Sequence, residues 1–195
     1  RLAAAAVVSR AAASRFELND TAMRAVHRLQ SGLYVLLAVN TAWFLAVAPW
    51  TKGLDSVAWF TLLMLFALET ANRRWLEKLH ARGLAHLLRA GVVVAIVVSA
   101  HGYVQQQQWL DAVNVALWIL VVILLECELR FAQWVATHRR LFAGSACVLY
   151  GAIAMLIPLW ALRGEWFDAY DAVLWLIAFV LIEMDALKLG AGNRG

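Results

Sequence analysis

Charged side chains are scarce in this chain: Asp, Glu, Lys and Arg together make up 15% of 195 residues, against 64% hydrophobic ones. A soluble domain carries about a quarter charged residues, and a disordered chain is poorer in apolar ones, so both classes are excluded. Cysteine is nearly absent. Cys127 and Cys147 are the only two, which rules out a disulfide-stapled scaffold and leaves no Cys-rich metal motif. Proline is confined to Pro49 and Pro158, so long helices can run with few breaks. Nothing alternates with the period of two that a membrane barrel requires. A glycine-rich nucleotide loop, a nucleophile elbow and a metalloprotease motif are all missing, so no enzymatic activity is expected.

What the chain has is apolar length. The mean hydropathy is +0.71, and six stretches, roughly 31–50, 55–72, 83–103, 110–131, 141–162 and 168–187, approach the ~20 residues a bilayer-crossing helix needs. The expected fold is therefore all-α, a polytopic bundle of six transmembrane helices. Residues 1–28 form a basic arm, 29–188 the membrane domain and 189–195 a short tail. The arm, rich in Ala and Arg and free of acids over its first fifteen residues, suits an interfacial helix against anionic headgroups. Its composition also overlaps that of an organelle transit peptide.

The cations set an orientation. Arg1, Arg10, Arg15, Arg24 and Arg28 precede the first span. Arg73, Arg74, Lys78, Arg82 and Arg89 surround the second connection, Arg130, Arg139 and Arg140 the fourth, and Lys188 and Arg194 follow the last span. Lys52 and Arg163 alone fall on the other side. The positive-inside rule then places both termini in the cytoplasm, in an inner membrane. The net charge of +4 reflects this topology and does not point to nucleic acid. Trp50, Trp109 and Trp166 are expected at the outer interface and Trp75 at the inner one.

A recurrence at 57 residues suggests three tandem parallel hairpins, about 29–74, 83–131 and 140–188. Trp109-Leu-Asp111-Ala112 aligns with Trp166-Phe-Asp168-Ala169, Leu117-Trp118 with Leu174-Trp175, Leu124 with Leu181, and Glu126 with Glu183. The first hairpin joins through Leu63, Leu68, Glu69 and Arg73, but its outer turn is out of phase, with Asp55 where Leu54 should carry the acid. Units of two spans insert the same way up, around an axis along the membrane normal.

Glu69, Glu126 and Glu183 are the leading site candidates, as an acidic ring at the cytoplasmic mouth that concentrates cations. The plainer reading pairs them with helix-end cations: Glu69 with Arg73, Glu126 with Arg130, both i to i+4, and Glu183 near Lys188. Arg89, two turns into the third span, snorkels to the interface or pairs with one of these acids. Asp55, Asp111 and Asp168 are read as an outer acidic rim or as helix N-caps. His86 and His138 are weak candidates for haem ligation, and no cofactor or metal is expected. Asn40, Thr41, Thr61, Ser99, Asn114 and Ser145 look scattered at mid-depth, without recurrence. Cation conduction or transport through an acidic cytoplasmic vestibule is the favoured function, as a passive pathway. The alternative is a non-catalytic accessory subunit of a larger membrane complex. The expected partners are the lipid bilayer, and further copies or other subunits.

Overall fold

Pro49 decides where the first two helices part. The computed structural model describes the backbone of residues 28–71 and 79–192 and, within these, the side chains of all but residues 69–71, 79–82, 129, 132 and 182–192. Helix α1 spans Arg28–Val47 and α2 Trp50–Ala71, with only Ala48 and Pro49 between them. Proline has no N–H to donate and suits a helix start. Its carbonyl accepts from the N–H groups of Lys52 (3.0 Å) and Gly53 (3.2 Å). The second span thus begins five residues before the expected Asp55, and Lys52 and Asp55 stand in its first two turns rather than in a connection.

The remaining helices are α3 (Leu79–Gln105), α4 (Trp109–Arg130), a short α5 (Ala132–Thr137), α6 (Arg139–Leu162) and α7 (Trp166–Gly192). There are no strands among the described residues. The helix α5 falls within the expected fourth connection. Helices α1, α2, α3, α4 and α6 are long and apolar enough to cross a membrane. The expected sixth span lies on α7, whose later side chains, Glu183 and Lys188 among them, are outside the described residues.

Two connections close in the same way. At the end of α6, Glu165 N–H bonds to Trp160 O (2.9 Å) and Gly164 N–H to Ala161 O (3.0 Å), with Gly164 at φ +80°. At the end of α3, Gln108 N–H bonds to Tyr103 O (2.9 Å) and Gln107 N–H to Val104 O (3.1 Å), with Gln107 at φ +58°. Both are Schellman motifs, which satisfy the last carbonyls by a left-handed residue. Glycine holds that conformation freely; Gln107 does so against the clash of its Cβ.

Residues 37–177 form one compact unit, and the described residues outside it a second. In the larger unit the helices bury narrow stripes: Val92, Ile96, Ser99 and Tyr103 on α3; Asp111, Val115, Trp118 and Val121 on α4; Ile153, Leu156 and Trp160 on α6. Steps of three and four residues keep each stripe on one face. The opposite faces expose Leu87, Val93, Val94 and Val97 on α3 and Leu141, Val148 and Met155 on α6. Polar groups inside and aliphatic groups outside invert the arrangement of a water-soluble domain and fit an integral membrane protein. Trp50, Trp109 and Trp166 each begin a helix and are exposed.

Gly102 sets how closely α3 approaches α2. A Cβ built there would lie 2.5 Å from Thr51 Cγ2 and 3.2 Å from the Trp50 ring. Thr51 is wholly buried and cannot yield. The close approach brings Ser99 and Tyr103, three residues before Gly102 and one after it on α3, against the first turns of α2.

Candidate functional site

Four aspartates near helix starts meet inside the larger unit. Lys52 on α2 forms ion pairs with Asp168 on α7 (2.7 Å) and Asp111 on α4 (3.5 Å). The three side chains retain 12–15% of their exposure, so one ammonium ties the starts of three helices together. Asp55, a turn further along α2, accepts hydrogen bonds from Trp59 Nε1 (3.0 Å), Ser99 Oγ (3.3 Å) and Tyr103 OH (3.4 Å). Asp171, a turn along α7, accepts from Asn40 Nδ2 on α1 and from the Trp175 side chain. Ser56 Oγ donates to Thr41 Oγ1 (3.1 Å), and Thr51 Oγ1 to Gln106 Oε1 (3.2 Å).

Lys52, Asp55, Ser56, Tyr103, Asp111, Asp168 and Asp171 line one cavity of about 40 Å³. That holds about three waters, at roughly 10–15 Å³ each. Its walls follow a single pattern repeated three times: an aromatic residue, a charged one eight positions on, a polar one three further, and a tryptophan four beyond that. The first set is Phe44, Lys52, Asp55 and Trp59; the second Tyr103, Asp111, Asn114 and Trp118; the third Trp160, Asp168, Asp171 and Trp175. Only Ser56 and Ala172 complete the lining. Corresponding positions are separated by 59 and then 57 residues. Along each helix the charged and tryptophan positions are seven residues apart, about 10 Å of rise. The cavity therefore has a charged row nearest the helix starts, a polar row beneath it and a tryptophan row at its far end. Trp59 and Trp118 meet there, with ring centroids 6.3 Å apart.

Two polar atoms on the wall lack a partner. Trp160 Nε1 and Asn114 Oδ1 are both buried and make no hydrogen bond. Trp160 is 2% exposed, so lipid or bulk water does not reach it. The recurrence explains the gap at Asn114. Asn40 and Ser99 stand four residues before the wall aromatics Phe44 and Tyr103, and they serve Asp171 and Asp55. The position equivalent to them before Trp160 is Leu156, which has no donor to offer Asn114.

The sequence-based candidates fall into two groups. Asp55, Asp111 and Asp168 all line the cavity. Asp111 lies in the first turn of α4, where Gln108 holds the N-cap position and no side chain caps it. Asp168 lies in the first turn of α7. Of the glutamates, Glu126 is exposed and pairs with Arg130 at 2.8 Å, which raises the proton affinity of that guanidinium. Glu69 and Glu183 have side chains outside the described residues, as have Arg73 and Lys188. Arg89 is partly buried on α3. His86 is exposed, and His138 Nδ1 lies 3.1 Å from Trp134 O. Among the described residues no three His, Cys, Asp or Glu side chains converge closely enough to hold a metal ion.

From sequence Lys52 reads only as an outer cation, Asp171 as one acid of the outer connections and Asn114 as a scattered mid-depth residue. Their signal was present, as the aromatic–charged–polar–Trp spacing, but a search at 57 residues throughout misses its first copy. The chain matches no known protein family, no characterised protein and no solved structure. The cavity's own chemistry is thus what bears on function.

Proposed function

We propose that this is a multi-pass membrane protein that binds a small cation within its helical bundle and transports it across the membrane. One observation carries the reading: four carboxylates, Asp55, Asp111, Asp168 and Asp171, face one cavity against the single ammonium of Lys52. Ionisable groups among membrane helices are costly and are kept where they pair or serve a pathway. Here the formal excess is three negative charges, and a positively charged occupant balances it.

The recurring pattern supports three hairpins, α1–α2, α3–α4 and α6–α7, as tandem units, with α7 as the sixth span. In that arrangement the first helix of two of the hairpins serves a neighbouring one, Ser99 on α3 donating back to Asp55 and Asn40 on α1 to Asp171. The positive-inside rule then puts the cavity in the outer half of the membrane. The tryptophan row blocks the way inward, which favours a carrier with an occluded site over an open conduit. It also moves the functional acids from a cytoplasmic vestibule to the opposite end.

The test is cation uptake into liposomes holding the purified protein. Asp55→Asn and Asp171→Asn should each lower uptake at least tenfold while helical content is retained. Undiminished uptake in both variants contradicts the proposal.

A further inference from the structure

We infer that the cavity is a primary-ammonium site, that Lys52 is its resident occupant, and that the transported species is a small alkylammonium ion that displaces it. The inference rests on the cation reading above and names the substrate class of that site.

The first support is what already sits there. The Lys52 ammonium makes a 2.7 Å hydrogen bond to Asp168 and lies 3.5 Å from Asp111. The carboxylates are thus set for N–H donors on a compact cation, the geometry of a charge-assisted hydrogen bond. The second is the wall. Six aromatic residues surround the carboxylates. Aromatic faces attract ammonium groups and shelter alkyl carbons, whereas a bare inorganic cation needs a shell of oxygens. Consistent with that, no three acids among the described residues converge on a point as metal ligands do. The third is unfilled capacity. Trp160 Nε1 and Asn114 Oδ1 are buried without partners on the same wall. One offers a donor and the other an acceptor, which suits the water that would accompany a small ammonium ion. The free volume of about 40 Å³ adds only to what a displaced Lys52 ammonium leaves, which keeps the site on the scale of a small ammonium ion and its water.

Lys52 then acts as a tethered competitor. A ligand must separate it from Asp168 and Asp111, and the freed lysine, two residues after the exposed Trp50, can extend outward past the helix start. Removing its charge should tighten binding of the free cation, because the competitor is gone and the carboxylates remain.

The experiment is methylammonium titration of the full-length protein in nanodiscs, followed by tryptophan emission, with sodium and tetramethylammonium as comparison ions. In the unaltered protein methylammonium should bind at least tenfold more tightly than tetramethylammonium, which has no N–H to donate. In Lys52→Gln and Lys52→Met, methylammonium affinity should rise at least tenfold. Equal affinity for the two amines in the unaltered protein overturns the inference even where both variants fail to fold. Weaker methylammonium binding in folded variants also overturns it, and points to Lys52 as a contact for a negatively charged group. Sodium binding that depends on Asp55 without methylammonium binding sinks the substrate class and leaves the cation reading intact. No response to any cation removes both.

Discussion

Lys52 and Asp168 are 116 residues apart in sequence and 2.7 Å apart in space. With Asp111 as a second partner, the lysine joins the first turns of α2, α4 and α7. A buried charge that loses its partner is costly, about 3–5 kcal/mol where none remains. Because each carboxylate backs up the other, Asp168→Asn alone should destabilise by about 2 kcal/mol. The double variant Asp111→Asn/Asp168→Asn should lose more than the sum of the two singles, with a coupling of about 1 kcal/mol. Thermal unfolding of the four proteins in detergent measures this; strict additivity would show that the two acids do not share Lys52.

Gly102 offers a test of the α2–α3 approach. Gly102→Ala places a methyl group 2.5 Å from Thr51 Cγ2 and should destabilise by about 1–3 kcal/mol, the usual cost of overpacking. Thr51→Ser removes that methyl while keeping the hydroxyl bonded to Gln106. The double variant should recover most of the loss, and cation binding with it, since Ser99 and Tyr103 return to Asp55.

The left-handed residues at the helix ends give opposite signs. Gln107→Gly relieves the strained φ of +58° and should stabilise by about 0.5–1 kcal/mol. Gly164→Ala imposes the same strain at φ +80° and should destabilise by about 1 kcal/mol. Unfolding curves that fail to move in opposite directions would contradict the two matched Schellman ends.

Glu126→Gln separates the two ends of the protein functionally. Glu126 and Arg130 are exposed, with side-chain exposures of 52% and 73%, and such pairs contribute little. Uptake and melting temperature should both be unchanged, whereas Asp55→Asn should lower uptake at least tenfold. Loss of uptake in Glu126→Gln would restore a role for the glutamates.

Five of the expected spans were readable because ~20 apolar residues in a row leave few alternatives to a membrane helix. The site was less so, for two physical reasons. A hydropathy minimum at Thr51–Asp55 looks like a connection, yet Pro49 starts α2 ahead of it and turns Lys52 and Asp55 inward. The recurrence also shifts from 59 to 57 residues, so aligning Glu69 with Glu126 puts Lys52 opposite Trp109 and hides the pattern. At 59, Glu69 falls opposite Glu128 and the four wall positions coincide. Ser99 and Asn40 looked scattered because hydrogen bonding to a neighbouring hairpin leaves no mark in local sequence.

Binding of a cation to the cavity is the claim on which the rest depends. Equilibrium titration of the purified protein with methylammonium and sodium, by calorimetry, tests it most directly when repeated on Asp55→Asn/Asp171→Asn. The account predicts saturable binding of at least one cation to the unaltered protein and its loss, by tenfold or more, in the folded double variant. Binding of equal strength in both proteins, or in neither, would contradict it.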